Sequence, residues 1–309
     1  MARPRIVLRP GPGATLQEYW HYLIGYLLPS AGSLRGALGP WGQQVEAHTI
    51  VLHSCGPVMD EMALKVLAPI PHSVEFRDLR VRRRGGHAQR LGTLHTRLPR
   101  YPARARLSAL AARDTWVCVP RLDAAPWWWD PRLPAEPGPV TDNLEALDEL
   151  LSLVPADATE KVPGGTVLVL ERSEQPSFYD EGGGSLVPCY GRGRRHLANS
   201  AEIVAALSAA GHDAVAYEPG RHSLRAQAAA FSGATGIVGV RGAEFANLLW
   251  ARPGTPVVLM NPKGMTPRHS PARQLAALRD CSLVVLSVQG PDVDADPRAV
   301  VDAITQASG

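Results

Sequence analysis

The chain has 309 residues, 45% of them hydrophobic and 20% charged, with a formal net charge of +3. That length suits one large domain or two medium ones and can bury a sizeable core. The charge is too small to imply a nucleic-acid partner. No run of 18 apolar residues occurs and no signal-like segment follows Met1, so the expectation is a soluble, cytoplasmic chain.

Along the first half the pattern predicts a strand at Arg5–Leu8, a turn at Pro10–Gly13, and an aromatic-rich helix from Leu16 to Leu28 stopped by Pro29. Ala47–His53 reads as a strand, Met59–Leu67 as a helix and Val74–Phe76 as a strand. Arg77–Arg90 is basic and carries Gly85-Gly86, the mark of an exposed loop. A helix at Arg104–Arg113 and a strand at Thr115–Val119 follow. Ala125–Pro139 is Pro-rich, contains Trp127-Trp128-Trp129, and is the natural domain boundary. Beyond it Asn143–Leu153 is an amphipathic helix capped by Thr141 or Asp142.

The second half alternates regularly. Strands are predicted at Val167–Leu170, Asp213–Tyr217, Gly236–Val240, Pro256–Met260 and Ser282–Leu286. Helices fall between and after them at Ser200–Ala210, Ser223–Phe231, Glu244–Trp250, Ala272–Leu278 and Pro297–Ala307. Short apolar strands alternating with helices imply βαβ units and a parallel sheet covered on both faces. The expected division is an N-terminal domain over 1–135, a connecting segment and helix over 136–163, and a C-terminal domain over 164–309, with the last helix free to pack back on the N-terminal domain. Cys55, Cys118, Cys189 and Cys281 form no C-x-x-C pair and read as free thiols.

Ligands of such sheets bind at the carboxyl ends of strands. Gly239-Val240-Arg241-Gly242-Ala243 occupies such an end, directly before a helix. Two glycines let backbone approach a ligand, the N–H groups opening the helix face it, and Arg241 adds a cation able to grip phosphate oxygens. The turn therefore reads as a phosphate cradle, although glycines after a strand are more often only turn residues.

Around that turn stand Arg172, Arg195-x-x-x-Asn199, Ser223-Leu224-x-x-Gln227, Gly239-x-x-Gly242-Ala243-x-x-x-Asn247 and Pro253-Gly254-Thr255-Pro256-Val257-Val258. The first half adds Tyr19-Trp20-His21-Tyr22-Leu23-Ile24-Gly25-Tyr26-Leu27-Leu28-Pro29. In order and spacing this series resembles glycosyltransferase family 61, as a divergent member of the bacterial capsular-polysaccharide type. The arginine-over-lysine balance and the high Ala, Gly and Pro content agree with a GC-rich bacterial source.

The resemblance implies an α/β, GT-B-like fold: two Rossmann-like domains with mostly parallel sheets facing a cleft. It implies inverting transfer from a nucleoside-diphosphate sugar, most often UDP-linked, to a hydroxyl on a small-molecule or glycan acceptor. No metal is expected; the nucleotide sugar is the donor substrate rather than a cofactor. Arg172, Arg195, Asn199, Ser223, Gln227, Gly239, Arg241, Gly242, Ala243 and Asn247 would form the donor side. His21 and Glu18, on one face of the aromatic helix, are the candidates for the general base. His95, Trp128 and Trp129 are assigned to the acceptor side, the indoles having faces on which sugars stack; the plainer role for them is packing the domain joint. The Arg80–Arg84 run has the charge for a peripheral membrane contact but most often such a run is a solvated loop.

Four positions depart from the family pattern. Arg241 stands where the family has His, Ala226 where it has Glu, and Gly25 and Leu259 where it has acids. The losses at Gly25 and Leu259 motivate a competing reading, a relative that binds sugar nucleotides or a partner without transferring. A dinucleotide oxidoreductase is disfavoured, since neither half has a G-x-G-x-x-G after its first strand with an acid about 20 residues on.

Overall fold

A computed structural model describes residues 5–8, 19–41, 48–70, 72–77, 115–118, 137–172, 195–265, 270–290 and 292–309. The chain divides into two compact units, one of residues 1–129 and 136–155, the other of 130–135 and 156–309.

The first unit holds β1 (Arg5–Leu8), α1 (Tyr19–Tyr22), a π-helical turn (Leu23–Leu27), α2 (Leu28–Leu38), β2 (His48–His53), α3 (Pro57–Leu67), β3 (His72–Arg77), β4 (Thr115–Cys118) and α4 (Pro137–Leu153). Its strands form an all-parallel sheet in the order β3-β2-β1-β4. Helix α4 starts six residues before the expected Asn143, because prolines at 137 and 139 are tolerated in a first turn whose N–H groups have no helical partner. It lies close against α2: a side chain at Gly32 would strike Asn143, Trp41 Nε1 donates to the Ala146 carbonyl at 3.0 Å, and Arg35 pairs with Glu149 at 2.8 Å.

Pro29 does not stop the aromatic helix, contrary to expectation. Helix continues through it to Leu38, and the chain accommodates the ring with the π turn just upstream, where the Leu28 N–H reaches the Leu23 carbonyl. Proline lacks the N–H that would close the next α turn, and its ring crowds the carbonyl four residues back; a wider turn relieves both. Tyr26, inside this turn, is buried. Its hydroxyl donates to the Leu8 carbonyl at 3.3 Å and accepts the His53 N–H at 2.8 Å, so it ties together the carboxyl ends of β1 and β2. Burial pushes its phenol pKa well up, so the proton stays in place.

The second unit holds β5 (Val167–Leu170), β6 (His196–Leu197), α5 (Ser200–Ala209), β7 (Ala214–Tyr217), α6 (Leu224–Gly233), β8 (Gly236–Val240), a 3-10 helix (Ala243–Trp250), β9 (Pro256–Pro262), α7 (Pro271–Leu278), β10 (Ser282–Val288), β11 (Asp292–Val293) and α8 (Pro297–Ser308). Five strands form a parallel sheet in the order β10-β9-β8-β5-β7, and β6 pairs with β11 apart from it. The fold class is therefore α/β with parallel sheets in both units. Helix Glu244–Trp250 is 3-10 rather than α and begins one residue early.

Strand alternation sorts the two faces of this sheet. Val167, Val169, Val238, Val240, Val258 and Met260 pack with Ile203 and Leu207 of α5 and with Val300, Ala303 and Ile304 of α8. Burying each large aliphatic here is worth about 1.5–3 kcal/mol. Val300, Ala303 and Ile304 of α8 are thus part of its own unit's core. The opposite face carries Leu170, Gly239 and Leu259, with Phe245 of the 3-10 helix against Gly239.

The Tyr26 bridge yields a test of the first unit. Tyr26→Phe removes one hydroxyl and strands two backbone groups, so denaturant unfolding followed by circular dichroism should show a loss of about 1–3 kcal/mol.

Candidate donor site at the carboxyl edge of the second sheet

Strand β5 lies between β7 and β8, so the chain leaves β5 on one side of the sheet and returns on the other. The crevice outside the carboxyl ends of β5 and β8 is the topological switch point, where doubly wound sheets take their ligands. Two residues beyond Leu170, Gly239 and Leu259, on the same alternating face, come Arg172, Arg241 and Asn261. An apolar row inside the sheet thus becomes a polar row on its rim.

Each member of that row is held. Arg172 donates from Nε (3.2 Å) and Nη2 (2.9 Å) to the same oxygen, Oε2 of Glu244, and only 9% of its side chain is exposed. Arg241 donates from its backbone to the Met260 carbonyl at 2.9 Å and from Nη1 to Asn261 Oδ1 at 3.1 Å. Burial draws the Arg241 guanidinium pKa below its ordinary value, though an arginine so placed stays charged. Asn261 is 2% exposed, and its amide nitrogen donates to the carbonyls of Met265 (2.7 Å) and Pro262 (3.3 Å). Arg195 Nη1 rests 3.0 Å from the Met265 sulfur. Asn261 therefore orients Arg241 and anchors the turn against which Arg195 lies.

Packing makes a demand at each of the two glycines of the turn. Gly239 belongs to strand β8, where a Cβ would come within 3.0 Å of Leu170 Cβ and 3.3 Å of Phe245; it is glycine for packing. Gly242 is in extended backbone, and a Cβ there would collide with both Arg172 Nη2 and Glu244 Oε2. The space over Gly242 is filled by the Arg172–Glu244 pair. Ala243 opens the 3-10 helix, with Glu244 in its first turn.

Four of the predicted donor-side residues make hydrogen bonds to the protein's own framework. Asn199 binds both backbone groups of Ala295, accepting its N–H at 3.2 Å and donating to its carbonyl at 2.8 Å. Ser223 caps α6, accepting the Ala226 N–H at 3.2 Å, and Glu160 grips its hydroxyl (2.6 Å) and its backbone N–H (2.5 Å). Gln227 and Asn247, both fully buried, pair amide to amide at 2.9 Å and join α6 to the 3-10 helix; Gln227 also donates to the His222 carbonyl. These residues hold α5, α6 and the 3-10 helix in place.

In the first unit His21 is partly buried on α1. Gly25 lies buried inside the π turn. Leu259 is 1% exposed within β9, a position from which an acid could not reach the rim. His53, at the end of β2, gives its backbone N–H to Tyr26, while Asp60 accepts from Ser54 Oγ and the Cys55 N–H and so closes the loop before α3. Glu18, His95, Trp128 and Trp129 lie outside the described residues. Among the described residues no three His, Cys, Asp or Glu side chains are grouped to hold a metal, and no helix is long and apolar enough to cross a membrane.

Reading the sequence missed Glu244 and Asn261. Glu244 had a signal, an acid in the first turn of a helix that follows Gly-Ala. Asn261 also had one: it stands two residues beyond Leu259, hence on the same face of β9.

The sequence model of a family described as Glycosyltransferase 61 matches residues 19–258. No curated protein matches the chain. Among solved structures, the chain is similar to the glycosyl transferase family 9 protein from Veillonella parvula, at 11% identity and a TM-score of 0.36 over 99% of this chain and 97% of that one. It is also similar to the E. coli heptosyltransferase WaaC with ADP-2-deoxy-2-fluoro heptose, at 11% identity and a TM-score of 0.40 over 98% and 99%. Resemblance at that level says nothing of substrate.

The double contact of Asn199 with Ala295 has a direct consequence. Asn199→Ala leaves both buried backbone groups of Ala295 without partners, and urea unfolding should report a loss of about 1–3 kcal/mol.

Proposed function

The chain belongs to glycosyltransferase family 61 and is a glycosyltransferase; we propose that it moves a sugar from a UDP-linked donor to a hydroxyl acceptor with inversion. The observation that carries the donor half of this reading is the pair of arginines on adjacent strand ends. Arg172 and Arg241 follow the adjacent strands β5 and β8, beside a glycine and a helix start, and Arg195 rests against the turn at Met265. Planar guanidinium groups grip two phosphate oxygens at once, and helix N–H groups add to the field.

Under this reading the diphosphate is both handle and leaving group. As the acceptor oxygen attacks the anomeric carbon, the bond to the diphosphate breaks and negative charge accumulates on the leaving oxygen. Arg241 and Arg195, held in advance by Asn261 and the Met265 turn, stabilise that charge with little reorganisation, and Arg172 joins them. His21 takes the acceptor's proton, the position of the family's acid being Gly25 here. The donor is assigned to the second unit and the acceptor to the first, as membership of the family implies. The chain is assigned to the cytoplasm, where nucleotide sugars are made, with the Arg80–Arg84 run available to a membrane surface.

Thermal shift is the first test. UDP should raise the melting temperature more than GDP or dTDP, and Arg241→Ala and Arg195→Ala should abolish the shift. No shift with any of the three would sink the proposal. The second test is turnover: sustained UDP release from a UDP-sugar with an acceptor pool should be lost in His21→Ala. Binding without release would instead favour the non-transferring relative, which the buried Gly25 and Leu259 also suit.

A further inference from the structure

The Arg172–Glu244 pair has the features of an occupied anion site. The carboxylate of Glu244 receives two hydrogen bonds from one guanidinium. It sits in the first turn of a helix, where the backbone favours negative charge. It lies over the one backbone position whose missing Cβ makes room for it. Arginine, helix start and glycine are the components expected to hold a phosphate, and here a side chain of the protein uses all three.

We propose that Glu244 is a specificity-determining residue of the donor site, an internal anion that a diphosphate must displace from Arg172. This rests on the donor reading above and extends it. Arg172 is nearly buried, so an incoming oxygen cannot simply add to its exposed side; it must take the place of Glu244 or share the fork with it. A ligand therefore gains from Arg172 only what exceeds the pair already made. A weak or singly charged anion gains little. A diphosphate that also reaches Arg241 and Arg195 gains enough, and Glu244 swings away as it binds. The carboxylate thereby raises the threshold for anions in general and favours ligands that engage the whole rim.

Calorimetric titration of the full chain with UDP, GDP, dTDP and inorganic pyrophosphate tests this. Glu244→Gln keeps the shape of the side chain and removes its charge. It should bind the nucleotide preferred by the wild type about tenfold more tightly, and pyrophosphate should gain at least as much. The gain should vanish when Arg172→Ala is added. A pair that serves only to hold the loop would give the opposite result, weaker binding in Glu244→Gln. Unchanged or weaker binding in that variant, or a gain that survives Arg172→Ala, overturns the inference and leaves the donor reading standing. Failure of both wild type and variant to bind any of the four ligands overturns both. In the wild type, the Arg172 Nε–H resonance should shift on saturation with UDP; a resonance that stays in place while UDP binds also overturns the inference.

Discussion

Strand β5 is the shortest route to understanding this chain. Val-Leu-Val-Leu is buried on both faces, with a strand on either side and helices above and below. Inside such a layer an unpaired polar side chain would cost several kcal/mol, so the sheet is kept apolar. Charge can appear only where the strands run out. Arg172 and Arg241 are the first residues on their face past that limit, and Asn261, still within β9, is the buried amide that orients Arg241. The candidate site lies at these strand ends, where the apolar core no longer excludes charge.

The same constraint explains the buried amides. Asn199, Gln227 and Asn247 belong to the series of residues that resembles the family pattern. Once enclosed, each must satisfy its own donors and acceptors, and each does so against backbone or another amide. Their contribution to the site is rigidity: they fix α5, α6 and the 3-10 helix relative to the strand ends. Glu160 acts similarly from the segment after α4, gripping the first residues of α6.

Much of the fold was legible from hydrophobic period alone. The strands of the second unit are close to their predicted limits because each is a short apolar run bounded by turn residues. Where the expectation failed, the cause was local backbone chemistry. Pro29 reads as a stop only if the turn before it is α-helical. Residues 137–142 look like linker because two prolines and a glycine hide a first turn. The site was legible as a region and only partly as a mechanism. The arginines, Gly242 and the switch point could be anticipated from spacing. That Arg172 is held by Glu244, or that Asn261 serves Arg241, depends on pairs 72 and 20 residues apart, which no local pattern encodes.

The π turn at Leu23–Leu27 sets more than the path of one helix. Such a turn holds one residue more than the α turn it replaces. Taking that residue out would rejoin α1 and α2 as a single α-helix, with everything before the turn rotated by about 100° about the axis. His21 precedes the turn; Tyr26, moored to β1 and β2, lies within it. The direction in which His21 points is therefore a matter of helical phase, set by a single extra residue whose position the Tyr26 hydroxyl holds to the sheet.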